Sequence, residues 1–289
     1  MKELVIISGK GGTGKTSVTA SFAVLAEKAI LADCDVDAAD LHLVLKPEVR
    51  ERHDFRSGHA AVIREADCIG CGTCRDLCRF DAVRMQETKD GVRCDVDPVA
   101  CEGCGVCVRF CPQQAIDFPE RLCGEWMVSA TRCGPMVHAR LGVAAENSGK
   151  LVATVRQEAR RLAEQQGGKL VIVDGPPGIG CPVIASLSGA AQVLVVTEPT
   201  VSGEHDLARV LKLAAHFGIP AAICVNKWDL NPEMTERIEK QARAVGATVA
   251  GRIRYDRAVT QAQIRERAVV ETDAPCAGDI RALWKRLNV

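Results

Sequence analysis

The stretch Ser8 to Ser17, SGKGGTGKTS, limits what this chain can fold into more than any other. Gly9 is followed by four residues and then by Gly14, Lys15 and Thr16, the spacing of a loop that wraps phosphate groups in backbone N–H donors. An apolar run, Leu4 to Ile7, precedes it, and the helix-like Val18 to Lys28 follows. The chemistry requires that order: a strand delivers the loop, glycines let the N–H groups turn inward, and the next helix offers the positive end of its dipole. A plain glycine turn would account for the glycines but not for Lys15 and Thr16 at those offsets. The motif therefore predicts Lys15 on the β and γ phosphates of a nucleotide and the Thr16 hydroxyl on Mg²⁺.

A second lysine, Lys10, is not demanded by a generic phosphate loop. KGGTGKT, from Lys10 to Thr16, resembles the deviant phosphate loop of the MinD, Mrp, ParA and nitrogenase iron-protein class. The resemblance implies ATP held by Lys10, Gly11, Gly12, Thr13, Gly14, Lys15, Thr16 and Ser17, with Lys10 reaching across a dimer to the partner's nucleotide. The plain alternative for Lys10 is a solvated loop lysine.

The rest of the chain supports a nucleotide-binding α/β fold. At 289 residues it has room for one large domain and something small. After the first helix, Ala29 to Ala32 reads as a short buried strand ending in Asp33-Cys34-Asp35-Val36-Asp37, with Asp40 beyond. From Lys150 to Gln166 the apolar residues Leu151, Val155, Ala159 and Leu162 share a helical face. Strand-like and helix-like runs then alternate through Leu170 to Val173, Val193 to Val196, Ala221 to Val225 and Thr248 to Ile253. Such alternation predicts a mostly parallel sheet covered on both faces, with ligands at the carboxyl ends of its strands.

Carboxylates at those ends become meaningful against the MinD-class resemblance. Asp33 and Asp35 match its first switch segment, where one acid supports Mg²⁺ and the next orients the attacking water. Asp174, before Gly175-Pro176-Pro177-Gly178, resembles the second switch, with Asp174 in the Mg²⁺ shell and Gly178 near the γ-phosphate. The implied metal set is Thr16, Asp33, Asp35 and Asp174, and the implied catalytic set is Lys10, Lys15 and Asp35. Asn226-Lys227-Trp228-Asp229 matches the guanine-reading motif of GTPases, yet the MinD class has a related asparagine and uses ATP. Asn226 is a base contact in either case, and the deviant lysine favours ATP.

Fifteen cysteines in a chain with a nucleotide loop point to metal rather than disulfides. Eight of them form two matched runs, Cys68-x2-Cys71-x2-Cys74-x3-Cys78 and Cys101-x2-Cys104-x2-Cys107-x3-Cys111. Between them, Ala82 to Glu87 and Val92 to Val96 flank a Lys89-Asp90-Gly91 turn and read as a hairpin. Each half is a cysteine loop plus a strand, so the region resembles a bacterial two-cluster ferredoxin. In that run type the fourth cysteine serves the other cluster. The resemblance thus implies one 4Fe-4S cluster on Cys68, Cys71, Cys74 and Cys111, and another on Cys78, Cys101, Cys104 and Cys107. Two zinc sites are the structural alternative, although zinc usually takes pairs of CxxC. Pro112 follows Cys111, whereas Arg79 follows Cys78, a cation that could raise the potential of the second cluster. Cys34, Cys94 and Cys224 lie in apolar runs and read as small packing residues.

The expected organisation is a MinD-like ATPase domain, residues 1-57 and 120-289, with a ferredoxin-like α+β domain inserted at 58-119. Charge balances at 37 basic and 37 acidic residues, which offers no nucleic-acid face. No run approaches the ~18 apolar residues of a membrane span, and the short apolar start is interrupted at Ser8 by the phosphate loop, so a cytoplasmic location is expected. The segment Asp279 to Val289 is amphipathic and either docks on the sheet or, as in MinD proteins, meets a membrane; docking is the expectation. Three functions are compatible: an ATP-gated electron carrier acting as a homodimer or heterodimer on a redox or iron-sulfur acceptor protein, an iron-sulfur carrier of the Mrp type, and a MinD/ParA-like positioning ATPase. No CxxC lies outside the two runs, which weakens the Mrp reading.

Overall fold

The computed structural model describes residues 1–89, 91–142 and 148–288. In chain order, β1 (Lys2–Ser8) feeds α1 (Lys15–Leu25), then β2 (Ile30–Asp33), α2 (Leu41–Leu45) and β3 (Glu48–His59). The cysteine region holds β4 (Val62–Ile63), α3 (Thr73–Leu77), β5 (Val83–Thr88), β6 (Gly91–Val96), α4 (Val106–Phe110) and β7 (Ile116–Asp117). There follow β8 (Glu120–Thr131), β9 (Gly134–Leu141), α5 (Ser148–Gln166), β10 (Leu170–Pro177), α6 (Cys181–Leu187), β11 (Gln192–Thr197) and α7 (Val201–His216). The chain closes with β12 (Ala221–Asn226), α8 (Pro232–Ala244), β13 (Thr248–Ile253), α9 (Ala258–Ile264) and α10 (Pro275–Leu287).

The chain divides into two compact units: Met1–His53, Glu125–Leu141 and Ser148 onward form the body, while Asp54–Gly124 and Gly142 form the second. The division falls inside β3 and β8. The expected boundaries at 58 and 119 therefore shift outward, because the chain enters and leaves as long strands that the sequence reading passed over.

Among the described residues the large sheet runs β13-β12-β11-β1-β10-β2-β9-β8-β3. β1 pairs in parallel with β10 and β11, and β2 in parallel with β10 and β9. The central strands are apolar throughout, with Leu4 to Ile7, Ile172, Val173 and Val193 to Val196 at 0% exposure, as a sheet covered on both faces demands. β10 continues three residues beyond Asp174, so this aspartate lies within the strand and not at its end. The last helix, α10, buries Cys276, Ala277, Ile280, Leu283 and Leu287 in the core that also holds Phe22 and Leu31. Its apolar face is used by the body, which settles the amphipathic segment as docked up to Leu287; Val289 lies outside the described residues.

The second unit is built twice from one pattern, offset by 33 residues. β5 and β6 pair antiparallel with Val83 opposite Val96, and β4 and β7 pair antiparallel with Ile63 opposite Ile116, the same register shifted by 33. Gly70, at φ +66°, could not carry a Cβ without striking the Val92 carbonyl, and Gly103, at φ +63°, meets the His59 carbonyl in the same way. Glycine is required at both places by the close backbone approach and by the left-handed conformation. Asp90, in the expected hairpin turn, lies outside the described residues, as do residues 143–147 of the loop expected before α5.

Candidate functional site

The strand-loop-helix sequence of β1, loop and α1 forms as the spacing requires. Gly12 and Gly14 take φ values of +78° and +88°, which turn successive N–H groups to one side and make an anion-binding concavity. Gly14 has a second constraint: a Cβ there would sit 2.4 Å from Asn226 Nδ2. Asn226 donates that amide to the Thr13 carbonyl at 2.7 Å, and its Oδ1 accepts the Lys227 N–H at 3.0 Å. The expected base contact is therefore also a brace for the loop. A cavity of about 450 Å³ opens over the loop, lined by residues including Gly11 to Val18, Asp35, Asn226, Arg254, Tyr255 and Gln263. It has the size and lining expected for a nucleotide.

Three acids and one lysine meet at the floor of this site. Asp33 and Asp174 occupy the same register on the neighbouring strands β2 and β10, so their carboxyl groups stand side by side. Lys15 Nζ lies 2.9 Å from Asp174 and 3.4 Å from Asp35. Thr16 donates to Asp174 Oδ2 at 2.9 Å. Thr19, one helical turn beyond Lys15, donates to Asp174 Oδ1 at 2.7 Å, a partner that sequence reasoning missed but that an i to i+4 offset could have suggested. Burial would lower the Lys15 pKa, yet the Asp174 and Asp35 carboxylates more than reverse this and hold it above its usual value. Burial, with the Asp174 charge second, pushes Asp33 well above the usual carboxylate range. Burial likewise raises Asp35.

These residues fit a divalent cation. One ammonium cannot neutralise three carboxylates, and Asp33 Oδ2 is buried without a hydrogen-bond partner. A buried carboxyl oxygen without a donor carries a desolvation cost that a hard cation and its water shell would remove. Gly178 donates its N–H to the Ser8 carbonyl at 2.8 Å, tying the segment that follows Asp174 to the end of β1.

Lys10 does not float in solvent. Its Nζ lies 3.0 Å from Ser202 Oγ, 3.4 Å from Thr200 Oγ1 and 3.6 Å from Glu198, all on its own chain where β11 leads into the first turn of α7. Glu198 also pairs with Lys227, so it anchors two lysines at the rim. Nothing in the sequence singled out Glu198, which is brought there by the order of the strands.

In the second unit, one recess is lined by Cys68, Cys71, Cys74 and Cys111. Burial pushes the Cys74 thiol up to about 12. Cys101 and Cys104 are electrostatic neighbours of Cys107, whose pKa rises chiefly through burial. Cys78 packs on the same small core as Cys101 and Cys107. Among the described residues no three Cys, His, Asp or Glu side chains converge on one metal-ion position. A cubane assigns each thiolate to a different iron, so its ligands need not converge in that way.

The body's topology, its phosphate loop and the carboxylates beside it define a phosphate-loop nucleotide-binding protein with a mostly parallel sheet. The CobQ/CobB/MinD/ParA nucleotide binding domain matches residues 4–269, and the chain belongs to that family. It is 32% identical over 232 residues to uncharacterized protein MJ0578 of Methanocaldococcus jannaschii, covering 79% of each chain. It is 25% identical over 263 residues to uncharacterized protein MJ0579 of the same organism, covering 80% of this chain and 83% of the relative. Among solved structures it resembles the septum site-determining protein MinD of Pyrococcus horikoshii in complex with Mg-ADP, at a TM-score of 0.58 and 16% identity, covering 99% of this chain and 96% of that one. At that identity the likeness concerns the fold. No helix among the described residues is long and apolar enough to cross a membrane.

Proposed function

We propose that this chain is an ATP-binding and ATP-hydrolysing dimer that carries two 4Fe-4S clusters and passes electrons to a partner protein under nucleotide control. The observation that carries the iron-sulfur half is the recess in which Cys68, Cys71 and Cys74 of the first run face Cys111 of the second. That grouping supports the interleaved ligand set of a two-cluster ferredoxin, with Cys78, Cys101, Cys104 and Cys107 as the second set. Soft thiolates suit iron, and the clusters, when bound, supply one-electron chemistry.

In the body, Lys15 and the loop N–H groups bind the phosphates, and Thr16 with Asp33 and Asp174 holds Mg²⁺. Asp35, 3.4 Å from the Lys15 ammonium, is the acid placed to orient water once that lysine turns to phosphate. Lys10 leaves Glu198 to reach the neighbouring subunit's nucleotide. The neighbour is a second copy or a related ATPase, and the presence of two relatives of this chain in one organism makes the second arrangement worth testing.

A second reading is a MinD/ParA-like positioning ATPase. Membership of the CobQ/CobB/MinD/ParA family over residues 4–269 supports it, and more directly than it supports electron transfer. The docked α10 argues against membrane attachment through that helix. The two readings separate when cluster potentials and electron-transfer rates to a protein acceptor are measured with ADP, with a non-hydrolysable ATP analogue and without nucleotide. Linkage requires that a tenfold coupling appear as a shift of ~59 mV for a one-electron couple. If neither potential nor rate responds, the electron-carrier reading fails and the positioning reading or an iron-sulfur carrier of the Mrp type takes its place.

A further inference from the structure

The recess of the first cysteine run contains a fifth sulfur. Cys94, on β6, lines it together with Cys68, Cys71, Cys74 and Cys111. It is 4% exposed, belongs to the same buried cluster as Cys74, and makes a thiol-to-thiol contact with it. Cys68 is its other thiol neighbour. Neither cysteine run contains Cys94, and the sequence alone marks it as a packing residue. The internal repeat shows that packing does not need the sulfur. Cys68 to Cys111 and Cys101 to Cys78 exchange under the 33-residue offset, as do the glycines Gly70 and Gly103 and the paired strands. The counterpart of Cys94 under that offset is Ala61, buried at 5% exposure in the same core. A methyl group fills the slot in one half, and a thiol fills it in the other.

We propose that Cys94 is a reserve iron ligand of the first cluster, able to replace Cys74, while the second cluster, whose half of the repeat has Ala61 at that position, has no such reserve. The inference rests on the iron-sulfur reading above. The exchange is balanced without any oxidant: the bond from iron to the Cys74 sulfur breaks as the bond to the Cys94 sulfur forms, and the Cys94 thiol proton passes to the departing Cys74 thiolate. Iron keeps its oxidation state and its number of thiolate ligands. Adjacency of the two thiols keeps the required motion small, because the β5–β6 hairpin already presents Cys94 to the recess. A cluster with a spare ligand tolerates transient loss of one bond without shedding iron, so the two halves of the repeat differ in durability.

The test is anaerobic reconstitution of the full chain with ferrous iron and sulfide, followed by iron analysis and EPR of the reduced protein, with nucleotide binding as the check that the body is folded. Wild type should hold about eight irons. Cys74→Ala should also hold about eight with an altered EPR signal, and Cys74→Ala/Cys94→Ala only about four. On the other half, Cys107→Ala, the counterpart of Cys74→Ala, should fall to about four, and Ala61→Cys/Cys107→Ala should recover about eight. If Cys74→Ala holds no more iron than the double variant, whether because it loses a cluster or because the unit fails to assemble, Cys94 is a packing residue and the proposal is overturned. A wild-type protein that takes up no iron-sulfur cluster would instead overturn the reading on which the proposal stands.

Discussion

The body and the cysteine unit differ in how much apolar surface they bury. In the body, Leu4, Ile6, Phe22, Leu31, Ile172 and Leu194 are all at 0% exposure, and the helices close over both faces of the sheet. At roughly 25 cal/mol per Å² of apolar surface, such burial can offset the conformational entropy of a domain this size. The core of the second unit consists of Ala61, Cys74, Ala82, Val83, Cys94, Val96 and Ile116, mostly small side chains. Its larger residues Ile69, Phe80, Val99 and Phe110 are exposed. A unit that buries so little needs cross-links, and bound metal centres are the kind its thiols can make. On the iron-sulfur reading, one chain combines a unit that folds on hydrophobic burial with one that folds on its ligands.

The sharpest way to break this contrast is to remove the iron. Cluster-free protein should lose amide-exchange protection across β5, β6 and β7 by roughly a hundredfold or more, while β1 and β10 keep theirs. Hydrogen exchange by mass spectrometry reads both units in one sample. Equal protection with and without iron would show that the small core suffices.

The reverse test leaves the clusters alone. Lys15→Ala should weaken binding of a fluorescent ATP analogue on the order of a hundredfold, since it removes the phosphate contact and the cation facing Asp35 and Asp174. Iron content should stay at about eight. Loss of iron in this variant would mean that the two units do not fold independently.

Lys10→Ala separates binding from turnover within the body. Affinity should stay within about threefold, whereas ATP hydrolysis should drop by roughly ten- to a hundredfold, and the ATP-dependent rise in light scattering should vanish. An unaffected variant would leave Lys10 as a rim residue held by Ser202 and Glu198.

A smaller effect concerns acid stability of the body alone. Burial, with His42 and Arg52 nearby, lowers the pKa of His138 to about 4, and its ring pairs with Ser129 Oγ at 2.7 Å. Its unfolded value is about 6.5, so between about pH 4 and pH 6.5 the unfolded chain binds more protons and stability rises with pH. From pH 7 to pH 5 this one group should cost about 2 kcal/mol, seen in urea midpoints, and His138→Gln should flatten that slope. An unchanged slope would place the acid sensitivity elsewhere.

Local spacing made much of the body's site legible. The phosphate loop spans ten residues, and its glycine and lysine offsets carry the same meaning in any chain that places a strand before it and a helix after it. Asp33 and Asp174 could be found as acids in apolar strand runs, because buried parallel strands have few reasons to hold a carboxylate. The strands β3, β8 and β9 were not legible: β3 carries the charges of an exposed edge, β8 alternates weakly, and β9 has only a short buried run, Met136 to Ala139, behind Gly134 and Pro135. Thr19 and Glu198 escaped notice because each acts through a partner far along the chain.

What the sequence determined by itself was therefore the chemistry that fits within one turn or loop: the phosphate-binding concavity, the two cysteine runs and the acids near the strand ends. Tertiary structure decided which of these groups meet. Asn226 braces Thr13 from 213 residues away, Lys10 settles on Glu198, and Cys94 enters the recess of a cysteine run it does not belong to. Covalent geometry sets the reach of neighbours a few residues apart, whereas contacts of this length depend on strand order and hairpin register. Those are set by how the whole chain buries its apolar surface.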